Sequence, residues 1–453
     1  MTSDTDILKH AIATRSAFSS WRTPASTLLY GKLAWLYASD SQRYLDFASG
    51  SGSLILGHAD AGAVAALGAQ AGSVAVFPAN HFRVPAVEGY LSSLADFCGG
   101  DLTRVMLASS GSDAVDAACK LALQFHQSSG EGQRRHIIGR SASYHGNSLF
   151  GLSVGGFKRR RAPFESALWQ QAKAAPAYCY RCQFGLARHT CGLRCADSFA
   201  EVLDSLDPRT VAAVIVEPIV GAALGAVPAP TGYLERVRAI CDDHGILLIF
   251  DEVLSGFART GRAFAWQHYG AQPDIVIMGK AMSGGYFPLS GIATTERVTA
   301  PIKRKSPYFD NGQTHLFNAV GAAVGSYVLE RIRTDCLVDR AARSGAQLLQ
   351  RLQLLREFDV IGDVRGLGLL IGIELVSRSS SRERFDPGLR VAEQFAQFAR
   401  EAGLIVYPST GGPDTLAGDH ALLLPPLVIG EEEIEFAANC LRQAAIQLQR
   451  WIA

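Results

Sequence analysis

The sequence has almost no net charge to offer a partner: 43 lysines and arginines stand against 42 aspartates and glutamates, a formal charge of +1. A balance that close creates no global field to draw in nucleic acid or an anionic membrane. Any run of about 18 apolar residues is also missing, so no segment is expected to span a bilayer. The first residues, MTSDTDILKHAIATRS, lack the apolar core of a secretory signal. Nine cysteines without an export signal point to reduced thiols and a cytoplasmic chain. No internal repeat or low-complexity stretch is present. What is there is an ordinary globular composition, 48% hydrophobic and 19% charged over 453 residues, enough for a large core and two domains.

The stretch 246–291 carries the strongest signal. Five apolar residues, 246–250, read as a strand buried on both faces, and Asp251 and Glu252 follow at once. A second short apolar strand, 274–278, runs into Gly279 and Lys280. Acids and amines are rarely buried without a partner, and ligands collect where the strands of an open α/β sheet end. Taken singly, Asp251 reads as a helix cap and Lys280 as a surface lysine. Together, with a Gly/Arg/Thr-rich loop between them, they suit pyridoxal phosphate (PLP), which needs a lysine for its Schiff base and an acid beside its ring nitrogen.

Around that stretch the chain is regular. Residues 33–48 read as a hairpin with a polar turn at 39–42. Residues 49–52 form a glycine–serine loop, open to close approach or simply the hairpin exit. From about residue 61 to 330 strands and helices alternate, the pattern of a mainly parallel sheet. A strand at 104–108 leads through Ser109-Ser-Gly-Ser into a helix with Val115, Ala118, Leu121, Ala122 and Phe125 on one face. Such a turn offers free N–H groups to a phosphate, or is an ordinary N-cap. HIIGRSASYHG is a strand running out to Tyr144 and His145, an aromatic position that stacks on a flat ring or fills core. Residues 211–216 form another buried strand, ending in Glu217-Pro218. FKRRR at 157–161 is the one strong charge run, a solvated face or a contact for an acidic partner or a substrate carboxylate. Cys179, Cys182, Cys191 and Cys195 are spaced C-x2-C-x8-C-x3-C. They suit zinc or an iron–sulfur cluster by ligand type, but the interval is short, and a reduced loop-packing cluster is the default. Beyond 331 come a helix at 341–356, strands at 403–407 and 420–424, and a last helix after Gly430 with Ile434, Ala437, Leu441, Ala445 and Leu448 on its apolar face.

DEVLSGFARTG and PDIVIMGKAMSGGYFPLSG resemble the signature of the class III (subgroup II) aminotransferases, PLP enzymes of fold type I. The resemblance runs from about residue 30 to 450. It implies an α/β fold: a large domain, 61–330, with a mainly parallel seven-stranded-type sheet between helices, and a smaller α+β domain, 331–453, joined by part of an N-terminal arm, 1–60. It implies amino transfer from an amine or amino-acid donor to a keto acid, aldehyde or ketone through a Lys280 Schiff base. Lys280 would move the proton and Asp251 would keep the ring nitrogen protonated. On the same ground Gly111 and Ser112 grip the phosphate, with Asp113 in place of the usual glutamate, and Tyr144 and Val253 cover the two ring faces. His145 positions Tyr144 or the phenolic oxygen, or fills space. Glu252 bonds nearby backbone or the phenolic side, and Glu217 lies on the substrate side, where some branches use it as counter-ion to a mobile arginine. Thr314 reaches the phosphate of the neighbouring subunit in a homodimer with shared active sites. No metal is expected, and a racemase, epimerase or aminomutase on the same fold is the alternative. One departure stands out: residues 408–419, PSTGGPDTLAGD, hold no Arg or Lys, where the amine and ω-amino-acid branches carry a carboxylate-binding arginine. A carboxylate-bearing acceptor then needs another cation, such as Arg259 or a residue of the arm; a larger amine or aminoketone substrate is the other reading.

Overall fold

The computed structural model describes residues 26–411 and 416–452, so the first part of the expected arm and positions 412–415 of the 408–419 loop lie outside the described residues. Its centre is a seven-stranded sheet. The strands are β1 (Arg104–Ala108), β2 (His136–Arg140), β3 (Lys173–Ala174), β4 (Val211–Val216), β5 (Leu247–Asp251), β6 (Ile275–Met278) and β7 (Ser290–Thr294). They lie in the order β1-β7-β6-β5-β4-β2-β3. Only β7 runs against the rest, antiparallel to both β6 and β1.

Every residue of β4 and β5 is buried, as expected of parallel strands covered on both faces. Side chains along a strand alternate between those faces. Leu247 and Ile249 of β5 pack with Ala213 and Ile215 against helix α1 (Gly111–Ser128), through Ala114, Val115 and Leu121. Leu248 and Phe250 join Val214 and Val216 on the other face, against helices α2 (Arg194–Leu206) and α3 (Tyr233–Asp243). One step further in the same alternation, Asp251 faces the α1 side and Glu252 the opposite one. That parity decides which of the two acids can meet a ligand at the start of α1.

The C-terminal part builds a four-stranded antiparallel sheet from Ile361–Leu367, Leu370–Leu375, His420–Leu423 and Tyr407–Ser409, in that order. The expected hairpin is present as Trp35–Ala38 paired with Arg43–Asp46, with a further strand, Leu28–Lys32, on its outer edge. Arg43–Asp46 pairs in parallel with Leu404–Ile405 of the C-terminal part. The helix expected at 341–356 begins earlier, as Leu337–Leu352 followed by a 3-10 turn at Gln353–Glu357, because Cys336 turns left-handed (φ 50°) and ends the preceding helix, Ala319–Thr334. The expected division at 330 therefore falls within a helix, and one apolar cluster runs from Val276 and Met278 to Leu348 and Leu441 across it. The last helix, Glu431–Ile452, buries Ile434, Ala437, Leu441, Ala445 and Leu448. Among the described residues no helix is long and apolar enough to cross a membrane.

Candidate active site

A cavity of about 270 Å³ opens where β4 and β5 end and α1 begins, and the residues expected around a cofactor line it, all but Thr314. Sheet register brings the acid and the amine together: Asp251 pairs with Ile277, and three residues later Lys280 enters the same cavity. Lys280 takes a left-handed φ of 45°, a conformation an L residue adopts only at some cost. Among the described residues its amine has no hydrogen-bond or ion-pair partner. Burial lowers its pKa from the ordinary 10.5, while the charge of Asp251 works to raise it.

Asp251 is 6% exposed and both its oxygens are held. Oδ1 accepts from the Val253 N–H at 3.1 Å, and Oδ2 lies 2.8 Å from His145 Nδ1. The other ring nitrogen of His145, Nε2, is buried without a partner. Neither positioning of Tyr144 nor simple space filling describes this histidine; it braces the acid. The pair joins residues 106 apart, His145 on the loop after β2 and Asp251 at the end of β5, two strands that flank β4. Periodicity carries no trace of that contact; only the strand order reveals it.

Glu217, at the end of β4, accepts from the N–H groups of Tyr144 and Gly221, each at 3.1 Å. Burial raises its pKa, and the nearby charge of Asp251 adds to the rise. Among the described residues no arginine side chain hydrogen-bonds this carboxylate; Arg140 donates instead to the main-chain oxygen of Glu217 at 2.7 Å. Glu217 thus clasps the turn that carries Tyr144. Glu252 is fully buried and turned away, accepting from Ser255 Oγ (2.5 Å) and the Ala265 and Trp266 N–H groups (3.0 and 2.6 Å). Of its two expected partners, the protein backbone is the one observed. Burial pushes its pKa up to about 7.

The start of α1 is capped by Ser110, whose hydroxyl accepts from the Asp113 N–H at 3.2 Å. Gly111 and Ser112 open the helix on the cavity wall, where unpaired N–H groups and the positive dipole end favour an anion. Ser112 Oγ accepts from the Asn147 N–H at 3.0 Å, tying this turn to the one bearing Tyr144 and His145. Val253 fills the space that a side chain on Gly111 would need: a Cβ there would lie 3.1 Å from Val253 Cγ1. Tyr144 is half-buried, with Phe157 edge-on at 6.4 Å and the Arg160 guanidinium 5.8 Å from its ring centroid.

Two expectations are corrected. Arg259 cannot supply a cation to the cavity: it is 0% exposed and donates to the carbonyls of Leu369 and Gly52, each at 3.2 Å, and of Pro425. Burial lowers its pKa to about 9. It locks the loop after β5 to the C-terminal sheet. The run 157–161 is also not uniformly solvated, since Phe157 and Arg160 line the cavity. Ser51, Leu254 and Tyr407 line it too. The sequence reading offered 49–52 and 157–161 as places of close approach or substrate contact, and it missed Leu254 and Tyr407, which no local pattern marks. Thr314 is exposed and lies outside the cavity. Cys179, Cys182, Cys191 and Cys195 line a second cavity of about 380 Å³, and among the described residues no group of three or more potential ligands is placed to hold a metal. Burial raises the pKa of the Cys195 thiol to about 11.

Comparisons with known proteins point to one family. The family described as aminotransferase class-III matches residues 24–445. An uncharacterized aminotransferase of Schizosaccharomyces pombe is 33% identical over 420 residues, 92% of this chain and 91% of that one. An adenosylmethionine-8-amino-7-oxononanoate aminotransferase of Geobacter sulfurreducens is 31% identical over 423 residues, covering 92% and 91%. The crystal structure of an amine transaminase from an uncultivated Pseudomonas species, in its PLP-bound form, superposes with a TM-score of 0.89 at 30% identity, covering 96% of this chain and 97% of that one. With its fold, its strand-end cavity and these relatives in agreement, the chain belongs to the class III aminotransferases.

Proposed function

We propose that this cavity binds PLP and that Lys280 is the residue that joins the cofactor and carries the proton in transamination. The observation that bears most weight is the Lys280 amine, which among the described residues has no hydrogen-bond partner and shares its cavity with Asp251. The other residues fit the cofactor too. A helix N-terminus at Gly111 and Ser112 suits a phosphate, Val253 and Tyr144 offer an apolar and an aromatic wall, and a braced carboxylate suits a protonated ring nitrogen. PLP, when bound, supplies an aldehyde carbon and a ring that takes up the electron pair released at the substrate carbon.

The chain's own residues do the rest. Asp251, fixed by Val253 N–H and His145, holds its negative charge in one place and keeps the ring nitrogen protonated. Lys280, its pKa lowered by burial, is shifted toward the neutral amine that a base needs, and it then returns the proton as acid. Glu217 keeps Tyr144 in position through its N–H. Thr314, exposed and away from its own cavity, serves the phosphate of a second subunit, which makes the enzyme a cytoplasmic homodimer acting on small amines and keto compounds. We assign 61–330 to the cofactor-binding domain and 331–453, with part of 1–60, to the smaller one.

Lys280→Ala tests this reading. The variant is expected to lose the visible absorbance of bound cofactor and to slow amine-to-keto conversion by about 100- to 10,000-fold or more. Turnover within about tenfold of the wild type would refute it. Light scattering of the same wild-type sample is expected to give a dimer, and a fully active monomer removes the role given to Thr314. Release of a keto product, rather than of the inverted amine, separates transamination from racemisation.

A further inference from the structure

An oxo-acid acceptor brings a carboxylate into the cavity, and its desolvation needs a cation. The chain offers few. Residues 408–419 contain no Arg or Lys. Arg259 is sealed among carbonyl oxygens, and Arg365 is bound to Glu374 at 2.6 Å. Among the described residues lining the cavity, the basic side chains are Lys280, His145 and Arg160. The first two belong to the end of the cavity that Asp251 organises.

Arg160 differs from both. It lies on the short helix Lys158–Arg161, and among the described residues its guanidinium forms no hydrogen bond or ion pair. It is held only over the Tyr144 ring, 5.8 Å from the centroid. A cation–π contact of that kind leaves the N–H donors of the guanidinium available. Its neighbours in the run have other tasks. Arg161 donates to the carbonyls of Leu152, Ser153 and Gly155 at 2.9, 3.2 and 2.7 Å and to Glu165 at 3.0 Å. Arg159 reaches the carbonyl of Thr410, in the 408–419 loop, at 3.4 Å. Three consecutive arginines thus resolve into one that anchors the helix, one that meets a loop and one that faces the cavity.

The geometry points to Arg160 as the residue that recognises the carboxylate of an oxo-acid acceptor, and of the amino acid formed from it. Its planar fork of donors matches a carboxylate, and the Tyr144 face steers it. This assignment rests on the transaminase reading of the cavity, and it makes Arg160 a determinant of specificity.

The test uses purified holoenzyme with one amine donor that lacks a carboxylate, and compares pyruvate and 2-oxoglutarate with butyraldehyde as acceptors. In Arg160→Gln the ratio of kcat/KM for the oxo acids to that for the aldehyde is expected to fall about 10- to 100-fold, carried by KM for the oxo acids. Arg160→Lys is expected to recover part of the ratio, because a point charge replaces a planar fork. A ratio within about twofold of the wild type in Arg160→Gln overturns the assignment, whether the guanidinium is simply solvated or the second subunit supplies the cation. So does a wild type that aminates the aldehyde but neither oxo acid; the transaminase reading survives both results. A wild type that aminates no acceptor overturns both readings together.

Discussion

Two of the buried clusters of charge among the described residues are built on opposite plans. In the C-terminal sheet Glu374, fully buried, accepts from Tyr178 Oη at 2.6 Å, Arg365 Nη2 at 2.6 Å and Arg181 Nη2 at 3.3 Å. Arg365 also donates to Asp363 at 3.2 Å and to the Gly225 carbonyl at 2.8 Å. The carboxylate and the guanidinium are matched on several sides, and the cluster ties the cysteine-bearing segment to the sheet. At the end of β5 the arrangement stops short of that. Asp251 is braced, but among the described residues His145 Nε2 has no partner and the Lys280 amine has no hydrogen bond. A structural cluster satisfies its own groups; a cavity built for chemistry leaves some of them for a ligand.

The sharpest way to break this contrast is to remove one member from each cluster of the apo protein and compare stabilities. Glu374→Gln leaves Arg365 buried opposite a neutral amide and is expected to cost about 3–5 kcal/mol in chemical denaturation. Burial works to raise the Glu374 carboxyl, but Arg365 and Tyr178 outweigh it and hold its pKa below 4.5. The folded state therefore binds fewer protons there than the unfolded chain. The stabilisation is present above the ordinary carboxylate value and is lost as pH falls through the folded one. A loss under about 1 kcal/mol would mean the network is ornamental. Lys280→Met, by contrast, strands no partner and puts an apolar chain of similar length in its place. Stability is expected to stay within about 1 kcal/mol or to rise, even as turnover disappears. A loss as large as that of Glu374→Gln would put Lys280 in the structural class instead.

How much of this was legible beforehand follows from the range of each signal. The alternation of strands and helices, the buried runs at β4 and β5, and the apolar face of the last helix are local patterns, and the structure contains all three. Asp251 and Lys280 were legible because each stands at or just beyond the end of a strand whose burial is itself legible. The His145–Asp251 pair was not, since 106 residues and the order of three strands intervene. Arg259 misled for the same reason. From sequence an arginine in a Gly/Thr-rich loop looks available, and only the fold shows three carbonyls closing around it. The three arginines 159–161 hid one cavity residue among two with other partners, because identical side chains at adjacent positions point in different directions around a helix.

The smallest effect tests the link between the two groups of the cavity directly. In the apo protein two influences act on the Lys280 amine: burial, which lowers its pKa, and the carboxylate of Asp251, which raises it. Asp251→Asn keeps the shape and removes the charge, so the ammonium loses its favourable neighbour and burial acts unopposed. The midpoint for reaction of Lys280 with acetic anhydride, followed peptide by peptide in competitive labelling, is then expected to move further below the ordinary lysine value of 10.5. Stability should respond with the matching sign. A folded pKa below the unfolded one means that unfolding takes up a proton at Lys280, so stability rises as pH climbs toward 10.5, more steeply in Asp251→Asn and not at all from this group in Lys280→Met. A labelling midpoint that stays put or moves upward in Asp251→Asn would show that the acid does not reach the amine through this cavity, and would leave Lys280 as an unpaired amine with no working relation to Asp251.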